Sequence, residues 1–321
     1  MQTLSEYLNI IEHHIKALRF PETPAGLYEP IVYTLDGGGK RLRPVLALAA
    51  CEAFGHKADD AVNQALAVEM FHNFTLLHDD VMDSADMRRG RPTVHVRWDS
   101  RAAILSGDAM LTLSNMLVRR DCTPEQADKA TVLLNRTAME VYEGQQYDMD
   151  FESRSDVSVD DYMNMIRLKT SVLLGCACRM GALMAGASDE SCDAMYDYGV
   201  KLGLAFQLQD DYLDTYGDPI VLGKEIGGDI LNDKKTWLSI TALSEDSTGT
   251  MAAEIASPSH STTKIERVRS VYDNLDLGRR CHDLIDRYVD EAIVELQRAG
   301  LSPAALEFFV TVAENSRTRS H

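Results

Sequence analysis

Apolar residues recur at helical spacing along almost the whole chain. Near the N-terminus, Leu4, Leu8, Ile11 and Ile15 fall on a single stripe, as expected for one face of an α-helix. Similar spacing predicts largely apolar helices over 44–54, 61–78, 103–118, 128–149, 160–186, 191–214, 236–243 and 279–298. Alternating β-branched runs and hairpin signals are almost absent. The pattern therefore predicts an all-α protein of roughly ten or more helices.

Clusters of Gly, Pro and polar residues interrupt this pattern. They lie at 20–26, 36–39, 84–100, 121–125, 215–235 and 244–263. None has the composition of a linker between domains, and no internal repeat is visible. We therefore expect a single domain over residues 1–321. Several helices are apolar on all sides, which predicts a central helix wrapped by others or burial at a subunit interface.

Composition and charge narrow the class of protein. Hydrophobic residues make up 45% of the chain, which is too many for a disordered protein. The 32 basic and 50 acidic residues give a formal charge of −18, so the overall field opposes binding to nucleic acid or anionic lipid. The N-terminus resembles neither a secretory signal nor a transit peptide. No apolar run is long enough to span a membrane, and the six cysteines lie mostly in apolar segments. We expect a cytoplasmic protein with reduced thiols.

Two of the predicted helices end in the same acidic pattern. The clusters are Asp79-Asp80-Val81-Met82-Asp83 and Asp210-Asp211-Tyr212-Leu213-Asp214. Within each, the first and last Asp are four residues apart and share a helix face, where like charges repel. A solvated helix end explains one such cluster equally well, but two copies favour a shared divalent cation. Oxygen ligands without His or Cys favour Mg²⁺, which is often completed by phosphate oxygens. The clusters therefore predict a phosphate ester held through metal.

Basic residues are also locally concentrated. Lys40, Arg41 and Arg43 follow three glycines, and another arginine group follows the first acidic cluster. The glycine-rich segment is not a P-loop, because Thr34 and Arg41 occupy positions that require Gly and Ser or Thr. In a chain of such negative charge, these groups predict a diphosphate cradle.

Several motifs occur together in an order typical of one enzyme family. They are Gly38-Gly39-Lys40-Arg41-Leu42-Arg43-Pro44, Glu69-x-x-His72, Leu77-His78-Asp79-Asp80, Arg88-Arg89-Gly90-Arg91-Pro92-Thr93, Gly107-Asp108, Gly144-Gln145-x-x-Asp148, Lys169-Thr170, Phe206-Gln207-x-x-Asp210-Asp211-x-x-Asp214 and Gly223-Lys224. With them, the chain from about residue 35 to 240 resembles a short-chain trans-polyprenyl diphosphate synthase of the isoprenoid synthase superfamily. This family includes farnesyl and geranylgeranyl diphosphate synthases. One departure is Asp233, where many relatives carry Gly before the lysine that corresponds to Lys234.

The resemblance implies a fold, a reaction and a role for each site residue. It implies an all-α helical bundle around a central cavity, a homodimer, and head-to-tail condensation of isopentenyl diphosphate with dimethylallyl, geranyl or farnesyl diphosphate. The cofactor would be Mg²⁺, with three ions when substrate is bound. Lys40, Arg43, His72 and Arg89 would bind the isopentenyl diphosphate. Arg88, Lys169, Lys224 and Lys234 would bind the allylic diphosphate, which Asp79, Asp83 and Asp210 would reach through metal. Asp80, Asp211 and Asp214 would contact the metal ligands or metal-bound water, with Asp80 and Asp214 as further metal candidates. Gln207 and the carbonyl near Lys169 would present dipoles to the developing carbocation, and Thr170 would belong to the same catalytic group.

Product length is implied by the residues that precede the first acidic cluster. In the resembling family, an aromatic residue at the position of Phe74, without an insertion in the acidic cluster, goes with C20 products. An aromatic at both positions 74 and 75 goes with C15 products, but residue 75 is Thr. We expect geranylgeranyl diphosphate as the main product and farnesyl diphosphate as the alternative.

Other functions remain open at this stage. A terpene cyclase shares the first acidic cluster but needs no site for a second substrate. A non-catalytic subunit of a heteromeric synthase tends to lose one acidic cluster, whereas this chain has both. An acidic all-α binding protein without enzymatic activity is the third alternative.

Overall fold

The computed structural model describes residues 1–218, 226–257 and 261–317. Its α-helices are α1 Leu4–Ala17, α2 Ala25–Leu35, α3 Leu42–Ala53, α4 Val62–Met82, α5 Val94–Arg97, α6 Ser100–Leu117, α7 Pro124–Ser153, α8 Val159–Ile166, α9 Val172–Met184, α10 Asp189–Tyr216, α11 Gly228–Leu231, α12 Trp237–Glu245, α13 Thr250–Ile255, α14 Thr262–Asn274, α15 Leu277–Arg298 and α16 Pro303–Arg317. A 3₁₀ turn at Ala58–Ala61 precedes α4. The predictions of an all-α fold and of ten or more helices are thus confirmed.

Several helix starts follow from local sequence. Thr3, Ser158 and Thr236 each cap the next helix by accepting a backbone N–H on the side-chain oxygen. Such caps satisfy donors that the first helical turn leaves without a partner. Six helices of the structure were not predicted: α2, α14 and α16, together with α5, α11 and α13, which lie inside predicted breaks.

A short β-hairpin was also not predicted from the sequence. Strand β1, Met87–Arg88, pairs antiparallel with strand β2, Arg91–Pro92. The two turn residues have positive φ angles, 52° at Arg89 and 72° at Gly90, as two-residue hairpin turns of type I′ require. Each strand has only two residues, so hydrophobic alternation gave no sign of the hairpin.

The contacts of the chain divide it into two compact units. The first unit is Met1–Thr137 with Cys176–Tyr196, and the second is Ala138–Gly175 with Asp197–His321. The single domain over 1–321 therefore stays a prediction, as does the central cavity. None of the described helices is long and apolar enough to cross a bilayer. All six cysteines are described and none forms a disulfide.

Each unit packs helices closely where small residues allow it. In the first unit, a Cβ on Gly181 would lie 2.0 Å from the carbonyl oxygen of Ala47, so α9 and α3 touch through backbone. In the second unit, a Cβ on Gly203 of α10 would lie 2.6 Å from the Cα of Ser171, so α10 packs closely on the segment between α8 and α9. Tight packing of this kind leaves little room for backbone shifts.

Candidate active site

The glycine-rich loop before α3 reaches the hairpin within the first unit. Gly38 and Gly39 have φ angles of 70° and 131°, and Arg89 donates to the carbonyl oxygen of Gly38. A Cβ on Gly39 would lie 2.9 Å from the guanidinium carbon of Arg89. The φ of Gly39 favours glycine there, and the Arg89 guanidinium packs directly on the loop backbone.

The predicted ligands of isopentenyl diphosphate converge in this unit. Arg43 Nη1 lies 3.4 Å from His72 Nε2. Arg89 contacts the glycine-rich loop, and Lys40 at the end of that loop is solvent-exposed. Burial, followed by the charge of Arg43, lowers the pKa of His72 well below its usual value. His72 is therefore neutral at physiological pH, and the positive charge of the group comes from lysine and arginine.

Arg41 anchors this loop, a role that the motif alone did not predict. It has a φ of 47° at the start of α3, and its side chain is only 1% exposed. Its Nη1 donates to Glu69 Oε1 at 2.6 Å, its Nε to Glu12 Oε1 at 3.0 Å, and its Nη2 to the Leu35 carbonyl. The sequence placed only Glu69, the partner of Arg41, near this group of ligands. Glu69 precedes His72 by three residues and so shares its helix face.

The first acidic cluster ends α4 and divides between two environments. Asp80 is buried, and its Oδ1 accepts from Arg88 Nε at 2.7 Å. Burial raises the pKa of Asp80, while Arg88 opposes that shift. Asp79 is half-buried and Asp83 is exposed. Protein donors thus engage the middle carboxylate, and the two outer ones lie one helical turn apart.

The residues predicted to set product length lie earlier on α4. Phe74 is 5% exposed, and its ring packs at 5.5 Å from Phe71 and 4.8 Å from His78. The Thr75 hydroxyl donates to the His72 carbonyl at 2.8 Å. A Cβ on Gly107 would lie 2.4 Å from His78 Nε2, so α6 fixes the position of His78 beside Phe74.

In the second unit, Lys169 and Thr170 lie in a π-turn. The prediction of one helix over 160–186 is wrong here, because Arg167–Ser171 forms five-residue hydrogen-bonded turns between α8 and α9. Such turns re-aim side chains and occur often at functional sites. Gly144 of α7 permits the approach, since a Cβ there would lie 2.3 Å from the Lys169 backbone nitrogen.

The π-turn presents both side chains to polar partners. Lys169 Nζ lies 2.5 Å from Asp148 Oδ2. Thr170 Oγ1 donates to Gln207 Oε1 at 3.2 Å, and Gln207 Nε2 donates to Asp211 Oδ1 at 3.0 Å. This relay fixes the orientation of the Gln207 amide.

The second acidic cluster ends α10, and its middle carboxylate is buried as in the first cluster. Asp211 is buried and accepts from the hydroxyl of Tyr162, which the sequence analysis did not single out. Burial raises the pKa of Asp211, while Lys234 opposes that shift. Asp214 is also buried, and its Oδ2 accepts from the Asp229 backbone nitrogen at 2.8 Å. Asp210 is half-buried at the same helix end.

Lys234 follows α11 in the second unit. Its Nζ lies 3.4 Å from Asp229 Oδ1. Burial alone would lower the pKa of Lys234, but the carboxylates of Asp229 and Asp211 outweigh it and raise that pKa. Lys234 is therefore a firmly charged cation. The other predicted lysine, Lys224, lies outside the described residues.

The donor set is suited to Mg²⁺. In the described part of the chain, no three His, Cys, Asp or Glu side chains are already gathered for a metal. Protein donors hold Asp80, Asp211 and Asp214, and the resemblance implies Asp79, Asp83 and Asp210 as the carboxylates that would take a metal. Magnesium usually binds one or two carboxylates and completes its shell with water and phosphate oxygens. The residues therefore fit ions that arrive with a diphosphate.

Comparison with known proteins identifies the family. The Polyprenyl synthetase family profile matches residues 24–275. The chain is 44% identical over 220 residues to the geranylgeranyl diphosphate synthase of Methanosarcina mazei, with 68% of each protein covered. It is 36% identical over 256 residues to the geranylfarnesyl diphosphate synthase of Natronomonas pharaonis, covering 74% of this chain and 75% of that protein. A crystal structure of a geranylgeranyl pyrophosphate synthase matches with a TM-score of 0.95 and 43% identity over 100% of both chains. The resemblance is thus confirmed, and the chain belongs to the polyprenyl synthetase family.

Proposed function

We propose that this protein is a Mg²⁺-dependent prenyltransferase that makes geranylgeranyl diphosphate. It would join isopentenyl diphosphate head to tail to allylic diphosphates and release mainly the C20 all-trans product. Family membership supports the reaction, and the names of the Methanosarcina mazei relative and of the matching crystal structure support the product.

The contact between Arg43 and His72 is the observation that carries this proposal. A terpene cyclase ionises one diphosphate and has no need for a second anion site. Here the first unit holds a separate basic group. It consists of Lys40 and Arg43 on the loop, Arg89, and the neutral His72. Charged hydrogen bonds from lysine and arginine suit a diphosphate. We assign isopentenyl diphosphate to this group.

The allylic diphosphate is assigned to the acidic clusters and the remaining cations. These residues are Arg88, Lys169, Lys224, Lys234, Asp79, Asp83 and Asp210. Bound Mg²⁺ would neutralise the diphosphate leaving group as a Lewis acid. Lysine and arginine stabilise the same charge as the allylic carbon–oxygen bond breaks. Asp80, Asp211 and Asp214 hold the surrounding donors in place rather than meeting substrate.

Thr170 and Gln207 are assigned to the carbocation that bond breakage creates. The Gln207 amide is oriented by its bonds to Thr170 and Asp211, which supports a fixed dipole at the cation. The double bond of isopentenyl diphosphate attacks this cation. The resemblance implies that the released diphosphate then takes the proton, so no side-chain base is required.

Product length is assigned to Phe74 as the floor of the prenyl channel. Wild-type enzyme incubated with isopentenyl and dimethylallyl diphosphates should yield mainly C20 alcohol after dephosphorylation and chromatography. Phe74→Ala should extend the products to C25 or longer, and Thr75→Phe should shorten them to C15. Phe20→Ala, which removes an aromatic side chain outside α4, is the matched control and should leave the distribution unchanged. An unchanged distribution in an active Phe74→Ala enzyme would exclude Phe74 as the floor.

We also propose a homodimer. Ile104, Leu105 and Met116 of α6 are 46%, 59% and 54% exposed. Leu105 and Met116 are eleven residues apart and share a helix face. Exposed apolar side chains on one face favour a protein partner. Sedimentation should give a dimer for the wild type and a monomer for Leu105→Glu; a wild-type monomer would contradict the proposal.

A further inference from the structure

Asp233 occupies a position in the backbone that favours glycine. It follows α11 with a φ of 51°. Its backbone nitrogen donates to the Ile230 carbonyl at 3.3 Å, and the Lys234 nitrogen donates to the Asp229 carbonyl at 2.9 Å. This pair of bonds defines a Schellman turn, whose left-handed residue is usually Gly. An aspartate tolerates that conformation less well because of its Cβ.

Lys264 holds the carboxylate of this unusual residue. Its side chain is 1% exposed, and its Nζ donates to Asp233 Oδ1 at 2.8 Å and Oδ2 at 3.0 Å. Lysine is almost never fully buried unless it is paired. Asp233 lies 31 residues away, so the pair ties the start of α14 to the turn after α11.

The turn that this pair holds also fixes Lys234. The Lys234 carbonyl accepts from the Thr236 nitrogen at 3.0 Å and from Ser239 Oγ at 2.7 Å. Its backbone nitrogen is bonded within the Schellman turn described above, and its ammonium faces Asp229. A change in the conformation of the turn would therefore shift the backbone and the ammonium of Lys234 together.

We propose that Asp233 and Lys264 are a positioning pair for Lys234. Neither residue is placed on substrate; both act through the turn that aims the Lys234 ammonium. A glycine would adopt the left-handed conformation unaided, whereas Asp233 depends on the anchor that Lys264 supplies. The inference rests on the proposed function in one respect, that Lys234 binds the allylic diphosphate.

The test pairs a single substitution with its compensation. Lys264→Met should raise the KM for farnesyl diphosphate roughly tenfold and leave the KM for isopentenyl diphosphate unchanged, because one charged contact to diphosphate is weakened. The double variant Asp233→Gly/Lys264→Met should return the KM to within about twofold of wild type, since glycine restores the turn and no carboxylate is left unpaired.

Two further variants separate positioning from general damage. In a Lys234→Met background, Lys264→Met should raise the farnesyl diphosphate KM no further, because the pair acts through Lys234. Lys201→Met is the matched control: it removes another lysine–carboxylate pair of the second unit, 2.5 Å from Glu291, and should leave both KM values unchanged. Calorimetric titration with inorganic diphosphate and Mg²⁺ measures the same effects on affinity without turnover.

Each result bears on one proposal. An unchanged allylic KM and diphosphate affinity in folded Lys264→Met would overturn the positioning pair, as would a double variant no better than the single one. If Lys264→Met does not fold, the diphosphate affinity of Asp233→Gly is compared with that of Asp233→Ala. Equal affinities of these two variants would overturn the inference. If the wild type and the variants show the expected diphosphate affinities by calorimetry but the wild type makes no prenyl product, the proposed function is contradicted and the positioning pair is not.

Discussion

Removal of the Glu69 carboxylate should reveal what the buried ion pair beneath the glycine-rich loop contributes. Arg41 and Glu69 side chains are 1% and 3% exposed, with 2.6 Å between Nη1 and Oε1. Asn73 Nδ2 donates to the same Oε1 at 2.8 Å. Glu69→Ala therefore leaves a guanidinium and an amide without this acceptor in the interior. Arg41 keeps Glu12, whose side chain is 31% exposed, and the Leu35 carbonyl.

These contacts set the expected size of the effect. Breaking a buried ion pair by removing one partner costs about 3–5 kcal/mol. Because Glu12 still compensates part of the charge of Arg41, we expect the lower end, about 3 kcal/mol of unfolding free energy. Glu69→Gln keeps an acceptor oxygen and should cost about 1–2 kcal/mol. Glu12→Ala removes a half-exposed partner and should cost about 1 kcal/mol or less.

Chemical denaturation of the three variants and steady-state kinetics test this reasoning together. Arg41 lies between Lys40 and Arg43, and Glu69 lies one turn before His72, so the folded Glu69→Ala enzyme should bind isopentenyl diphosphate less well. Its KM for the allylic diphosphate should stay close to wild type. A Glu69→Ala variant no less stable than Glu12→Ala, or a rise of both KM values together, would refute the role assigned to this ion pair.

Three further outcomes follow from the site. Arg43→Ala should raise the KM for isopentenyl diphosphate about ten- to hundredfold, the loss of one charged hydrogen bond, and an equal rise in the allylic KM would show that the two anion sites are misassigned. Asp79→Ala and Asp210→Ala should each reduce kcat by orders of magnitude, and wild-type activity should disappear with EDTA and return with Mg²⁺; near-normal turnover in either variant would contradict the metal assignment. Gly144→Ala should lower kcat roughly hundredfold by displacing the π-turn at Lys169, with circular dichroism as the check that the helices persist.

Much of the fold could be predicted from local patterns. Hydrophobic periodicity located most of the long helices, because an amphipathic or buried helix repeats its apolar positions every three to four residues. Spacing also placed the first and last Asp of each acidic cluster on one helix face. The order of motifs then identified the family, which the comparisons confirmed.

Local patterns failed where the backbone leaves the regular helix. The π-turn at 167–171 carries the same apolar spacing as a helix, so nothing in the sequence marked the change. The hairpin at Arg89 and Gly90 has only two residues in each strand, too few for a visible alternation. In both cases, packing against a neighbouring element decides the conformation.

The sequence by itself therefore determined the all-α class, the family and the residue types available for chemistry. Only the tertiary structure decided which of those residues pair with one another in the interior. Arg41 pairs with Glu69 across 28 residues, Asp233 with Lys264 across 31, and Tyr162 with Asp211 across 49. Helical periodicity reports which face of an element is buried, but it carries no information about which distant charge is buried beside it. A buried charge must find its partner in the folded chain, so these pairs are set by packing.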